Sequence, residues 1–127
     1  MTAVEVGKLR ILVVDDEPSV GDIVKMLLNA DGHEVDATSS GKEALTMFEP
    51  GRYDLVFTDY AMPGMRGDQL ATAIKSCAPG QPVVMITGHA GTVPESPDVD
   101  LVLGKPFMLD DLRDAIAAVL PERSRVA

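Results

Sequence analysis

Short apolar runs separated by longer amphipathic stretches dominate the chain. Ile11-Leu12-Val13-Val14, Leu55-Val56-Phe57 and Val83-Val84-Met85-Ile86 are unbroken aliphatic or aromatic runs, as expected of strands covered on both faces of a parallel sheet. Val35 and Ala37 alternate with Glu34 and Asp36, which predicts a half-exposed edge strand. Leu101-Val102-Leu103 adds a brief fifth strand. Between these runs the period lengthens to three and four residues. Val20, Ile23, Val24, Leu27 and Leu28 follow Pro18, a residue suited to a first helical turn. Ser40 and Glu43 have capping-box spacing ahead of Ala44, Leu45 and Phe48. Leu70, Ala73, Ile74 and Cys77 make a third stripe, which predicts a packed cysteine. Leu112, Ala115, Ile116, Val119 and Leu120 make a last one, ended by Pro121. Strand and helix alternate, so the fold class is α/β with right-handed crossovers.

The segment between Thr87 and Lys105 breaks the rhythm. It carries Pro94 and Pro97 and no helical stripe, so it reads as a loop with at most a short helix. No linker, repeat or low-complexity tract interrupts the chain. Residues 1–127 read as one domain with a core of about residues 9–120, flanked by tails at 1–8 and 121–127.

Charge narrows the function. Lys and Arg number 11 against 20 Asp and Glu, a net charge of −9, which repels phosphate backbones and anionic membranes. Direct nucleic-acid or membrane binding is therefore not expected. A single cysteine excludes an internal disulfide and a Cys-rich zinc site. No apolar run reaches the roughly 18 residues of a membrane span, and Met1–Lys8 is too short for a signal peptide. The expected location is the cytoplasm.

The residues just after the strands carry the chemistry. The first strand ends in Asp15-Asp16, the third in Asp59, the fourth in Thr87 and the fifth in Gly104-Lys105; the second ends in Thr38-Ser39. Ligands of open parallel sheets bind at these carboxyl ends, so in strand order 2-1-3-4-5 three acids, a hydroxyl and a lysine meet in one crevice. Two carboxylates about 5 Å apart repel by roughly 3 kcal/mol at an effective dielectric near 20. Either one pKa rises or a cation sits among them. Oxygen ligands in a wet crevice favour Mg²⁺, and an aspartate beside it can attack phosphorus. Any one of these acids alone is as readily a helix cap. Thr87 alone is more often a turn hydroxyl, and Lys105 alone a solvated charge. Four matched strand ends out of five point instead to phosphoryl transfer onto a carboxylate.

These residues resemble the receiver domain of two-component response regulators, over about Leu9 to Leu120. The likeness rests on Asp15-Asp16, on Asp59-Tyr60-Ala61-Met62-Pro63-Gly64, on Thr87 and on Lys105-Pro106-Phe107. It implies a flavodoxin-like fold with a five-stranded parallel sheet of order 2-1-3-4-5, helices on both faces and a shortened fourth helix. It also implies roles. Asp59 would accept a phosphoryl group from a sensor histidine kinase or histidine phosphotransfer protein. Asp16, Asp59 and the Ala61 carbonyl would ligate Mg²⁺, with Asp15 acting through water. Lys105 would pair with the phosphoryl oxygens and Thr87 would swing toward them. A cis peptide is expected at Lys105–Pro106, and docking on the helix that carries Lys25.

Three departures from the family pattern stand out. Val102 occupies the place of the switch aromatic, the Thr87-to-Lys105 segment is short, and Gly88-His89 follow Thr87. Short segments of this kind resemble receivers attached to hybrid histidine kinases and some stand-alone ones. His89 either positions a hydrolytic water or decorates a loop. The resulting expectation is a single-domain phosphorylatable switch or phosphate relay, a monomer or weak dimer. It is no enzyme beyond its own phosphorylation and dephosphorylation. The alternative is a pseudo-receiver binding a partner without phosphorylation.

Other chemistries fail on residues. Gly41-Lys42 lacks the first glycine and the Ser/Thr of a phosphate loop. His33 and His89 lack metal-ligand spacing. Ala61 stands where a haloacid-dehalogenase phosphatase needs its second aspartate. Aromatics at 4% leave an FMN site without stacking residues.

Overall fold

A computed structural model describes residues 7–88, 91 and 93–120. Five strands, β1 (Arg10–Val14), β2 (Glu34–Thr38), β3 (Leu55–Asp59), β4 (Val83–Thr87) and β5 (Leu101–Gly104), form one parallel sheet. Its order is β2-β1-β3-β4-β5, as the family resemblance implies. The unbroken apolar runs occupy the middle. Every residue of β3 and β4 is buried, whereas the edge strand β2 alternates.

Four helices cover the sheet: α1 (Pro18–Ala30), α2 (Gly41–Met47), α3 (Gly67–Cys77) and α4 (Leu109–Val119). Alternating side chains of each strand feed opposite layers. Ile11, Val13, Leu55, Phe57, Val84 and Ile86 pack with Val24 and Leu28 of α1 and with Leu112 and Ile116 of α4. Leu12, Val14, Val56 and Val83 pack with Ala44 of α2 and with Leu70, Ala71 and Ile74 of α3.

Three local expectations need correction. Cys77 is exposed. The buried positions of α3 are Gly67, Leu70, Ala71 and Ile74, which turns Cys77 outward. Ile23 is 49% exposed, because Gly21, Val24 and Leu28 are the buried positions of α1. Ser40 does cap α2, its hydroxyl oxygen accepting from Glu43 N–H at 3.0 Å. The Glu43 carboxylate does not close the box but accepts a hydrogen bond from the hydroxyl of buried Thr38.

The chain between β4 and β5 is the irregular segment that the sequence predicts. Among the described residues there is no helix, even a short one; two prolines remove the N–H donors a helix would need. The segment is fastened to α3 instead. Thr72 Oγ1 donates to Asp98 Oδ2 at 2.8 Å, and Lys75 Nζ lies 2.8 Å from Asp100 Oδ2. The same Asp100 oxygen accepts from Val83 N–H at 2.8 Å. An open groove of about 850 Å³ remains beside Met85, Val99 and Val102. Val102, at the expected switch-aromatic position, is 40% exposed. His89, with both of its suggested roles, lies outside the described residues, as does Pro121.

Candidate functional site

Parallel pairing brings the carboxyl ends of the strands to one rim. Register sets Asp59 opposite Ile86, and Thr87 opposite Gly104. Asp15 follows β1 directly, and its N–H donates to the Thr38 carbonyl at 3.1 Å, extending the β1–β2 ladder by one residue. Lys105 follows β5, and its N–H donates to the Thr87 carbonyl at 2.8 Å. The sheet's hydrogen bonding itself thus places these side chains. Asp15, Asp59 and Thr87 are all buried, at 4%, 7% and 2% exposure. Asp16 is half-buried, and Ala61 is exposed two residues beyond Asp59.

One carboxylate oxygen from each of Asp15, Asp16 and Asp59 lies within 4.8 Å of the other two. Lys105 Nζ stands between two of these acids, 3.4 Å from Asp15 Oδ2 and 3.6 Å from Asp59 Oδ1. One ammonium cannot neutralise three carboxylates. The Asp59 carboxyl is accordingly pushed up to about 6, by burial first and then by the Asp15 charge, against the pull of Lys105. Its Oδ1 accepts from Tyr60 N–H at 2.8 Å, while Asp15 Oδ1 accepts from Glu17 N–H at 2.9 Å. These backbone donors hold the carboxylates in place. The three carboxylates offer hard oxygen donors only, the donor type that Mg²⁺ takes.

All five strand-end residues singled out in the sequence therefore meet at one rim, with Ala61 on the adjoining loop. The Lys105–Pro106 peptide bond is cis, as the resemblance implies. The supporting contacts were not legible in advance. Thr38 carries no charge, yet its carbonyl anchors Asp15 and its hydroxyl is held by Glu43. The unfinished capping box was the only trace of that link in the sequence.

A family model described as the response regulator receiver domain matches residues 11–117. The chain belongs to that family. Among its relatives is the DNA-binding response regulator MtrA of Mycolicibacterium smegmatis, 36% identical over 102 residues, which are 80% of this chain and 42% of that protein. This receiver thus spans less than half the length of the curated relatives it first matches. Response regulator TrrA of Thermotoga maritima, solved with Mg²⁺-BeF, superposes with a TM-score of 0.79 at 35% identity, over 87% of this chain and 98% of that one. TrrA solved with the histidine kinase ThkA superposes with a TM-score of 0.79 at 34% identity, over 87% of this chain and 97% of that one. No helix among the described residues of the receiver is long and apolar enough to cross a membrane.

Proposed function

We propose that this receiver accepts a phosphoryl group on Asp59 from the histidine of a sensor kinase or phosphotransfer protein, in a Mg²⁺-dependent reaction. The supporting observation is the convergence of three carboxylates within 4.8 Å of one another, with Lys105 between two of them. A likeness to TrrA, solved both with Mg²⁺-BeF and with a histidine kinase, agrees with this reading.

Asp16, Asp59 and the Ala61 carbonyl would hold the cation, with Asp15 acting through water. When bound, the cation supplies positive charge that favours ionised Asp59 and offsets the charge of a phosphoryl group. The chain's own groups do the rest. Asp59 must be ionised to attack, and the Lys105 ammonium beside it favours that form. Tyr60 N–H fixes one oxygen of the carboxylate, leaving its partner oxygen to form the new O–P bond. The P–N bond to the donor histidine breaks, and its electron pair returns to the imidazole nitrogen. Lys105 then neutralises oxygen charge on the transferred group. Thr87, at the end of the neighbouring strand, would add its hydroxyl to that group and couple phosphorylation to a surface used for protein–protein interaction or phosphate relay. The acids and the lysine are all present, which gives no support to a binding module that works without phosphorylation.

Intact mass after incubation with Mg²⁺ and acetyl phosphate tests the proposal. One added phosphoryl group is expected on the native chain and none on Asp59→Asn. Addition to both would move the acceptor to another residue. Addition to neither, with no transfer from any histidine kinase tried, would overturn the reading.

A further inference from the structure

Gly67, the first residue of α3, lies directly against the backbone that carries Asp59. A Cβ at Gly67 would stand 2.2 Å from the Asp59 carbonyl oxygen, 3.0 Å from its carbonyl carbon and 3.1 Å from the Tyr60 Cα. All three obstacles are main-chain atoms, so no side-chain rotation can make room. The Gly67 N–H donates to the Tyr60 carbonyl at 2.8 Å, which pins the helix start to the end of β3. Gly67 has no left-handed torsion, so close approach, not conformational freedom, is what calls for glycine.

We infer that Gly67 is a positioning residue for phosphoryl transfer: its missing side chain seats α3 on the Asp59–Tyr60 backbone and thereby sets where the Asp59 carboxylate points. This inference rests on the proposed reading of Asp59 as the phosphoryl acceptor. A neighbouring glycine supplies the contrast. A Cβ at Gly41 would meet only side-chain atoms of Met65, its sulfur at 2.9 Å and its Cβ and Cγ at 3.1 Å; the sulfur and Cγ can rotate away, and the Cβ contact needs a shift of only a few tenths of an ångström. Crowding by side chain and crowding by backbone therefore occur on adjacent helices near one site, and only the second reaches Asp59.

Bringing the 2.2 Å contact out to an ordinary separation moves the strand end by about 1 Å relative to α3. A misplacement of that size at a reacting group costs about a hundredfold in rate. The test compares wild type, Gly67→Ala, Gly41→Ala and Ile74→Ala, the last removing a buried α3 side chain far from the acids. Mg²⁺ affinity is read by calorimetry, phosphorylation by intact mass over time with acetyl phosphate, and the Asp59–Ala61 amide shifts by NMR in metal-free protein. Gly67→Ala is expected to shift those three amides, to bind Mg²⁺ at least about tenfold more weakly and to slow phosphorylation about a hundredfold. Gly41→Ala and Ile74→Ala should lose stability while keeping wild-type Mg²⁺ affinity.

A second chain covers the case in which Gly67→Ala folds poorly. Adding one glycine after Gly64 in the Gly67→Ala background gives the connection slack, so stability should return while Mg²⁺ affinity stays low. Wild-type affinity and rate in Gly67→Ala, their return together with stability in the lengthened chain, or equal losses in Ile74→Ala would each overturn the inference. Failure of the wild type itself to bind Mg²⁺ or take up phosphate would instead overturn the acceptor reading.

Discussion

Replacing Asp59 by asparagine should make the metal-free protein more stable at neutral pH, although it removes the proposed acceptor. The side chain is 7% exposed, and its carboxyl is pushed from 3.8 up to about 6 by burial and by the Asp15 charge. In the unfolded chain that carboxyl titrates at its ordinary value, so ionised Asp59 opposes folding once the pH exceeds about 4. The cost grows between about 4 and 6 and is constant above. Two pKa units correspond to roughly 3 kcal/mol as an upper limit. Solvent reaches half-buried Asp16 and the partly exposed Lys105, and its screening reduces the figure to about 1–2 kcal/mol. Asparagine keeps an oxygen for the Tyr60 N–H and presents an amide donor to the neighbouring acids. Thermal melts in EDTA at pH 7.5 should therefore show Asp59→Asn raised by about 3–8 °C. At pH 4 the difference should shrink to a small fraction, because wild-type Asp59 is then protonated in the folded protein. No gain at pH 7.5, or an equal gain at pH 4, would refute the electrostatic reasoning.

Three further outcomes follow from other contacts. Burial holds the His33 imidazole below its usual range, and its Nδ1 accepts from Leu9 N–H at 3.1 Å. Its contribution to stability is complete above about pH 6.5 and is lost as the pH falls toward the lowered folded value. Urea midpoints measured from pH 8 to 5 in an Asp59→Asn background should fall, and His33→Gln should flatten them; a slope unchanged by His33→Gln would contradict this. Asp100→Ala strips the acceptor from the N–H of fully buried Val83, so urea unfolding should show a loss of about 1–3 kcal/mol. Mg²⁺ affinity should stay unchanged in that variant, since Val83 opens β4 while Thr87 ends it. Saturating Mg²⁺, at about a hundred times its Kd, should stabilise the wild type by about 2.7 kcal/mol. EDTA should reverse that effect and Asp16→Asn should abolish it, both read as shifts in melting temperature.

Period and strand-end chemistry, together with the family resemblance they carry, predicted most of this molecule. Unbroken runs such as Val83–Ile86 can satisfy their side chains only when layers cover both faces, so a central parallel strand was legible without coordinates. The acids and the lysine were legible because each stands within two residues of the end of a strand's apolar run. Strand-end position in a parallel sheet is a topological fact, and the hydrogen-bond register enforces it.

Tertiary structure decided what depends on where an element faces and what approaches it. Cys77 and Ile23 fit a helical stripe by spacing, yet the way each helix faces the sheet leaves both exposed. Two prolines warned of an irregular segment before β5, but which groups on α3 would hold it could not be read from spacing: Asp98 meets Thr72 and Asp100 meets Lys75 across some 25 residues. Likewise a glycine at position 67 could have signified a turn, a flexible joint or a close approach. Only the 2.2 Å to the Asp59 carbonyl oxygen identifies the last. Patterns along a chain record which faces are apolar and which residues end strands, because those depend on local period. Helix rotation, side-chain partners and backbone clearance depend on elements distant in sequence, and only packing brings those together.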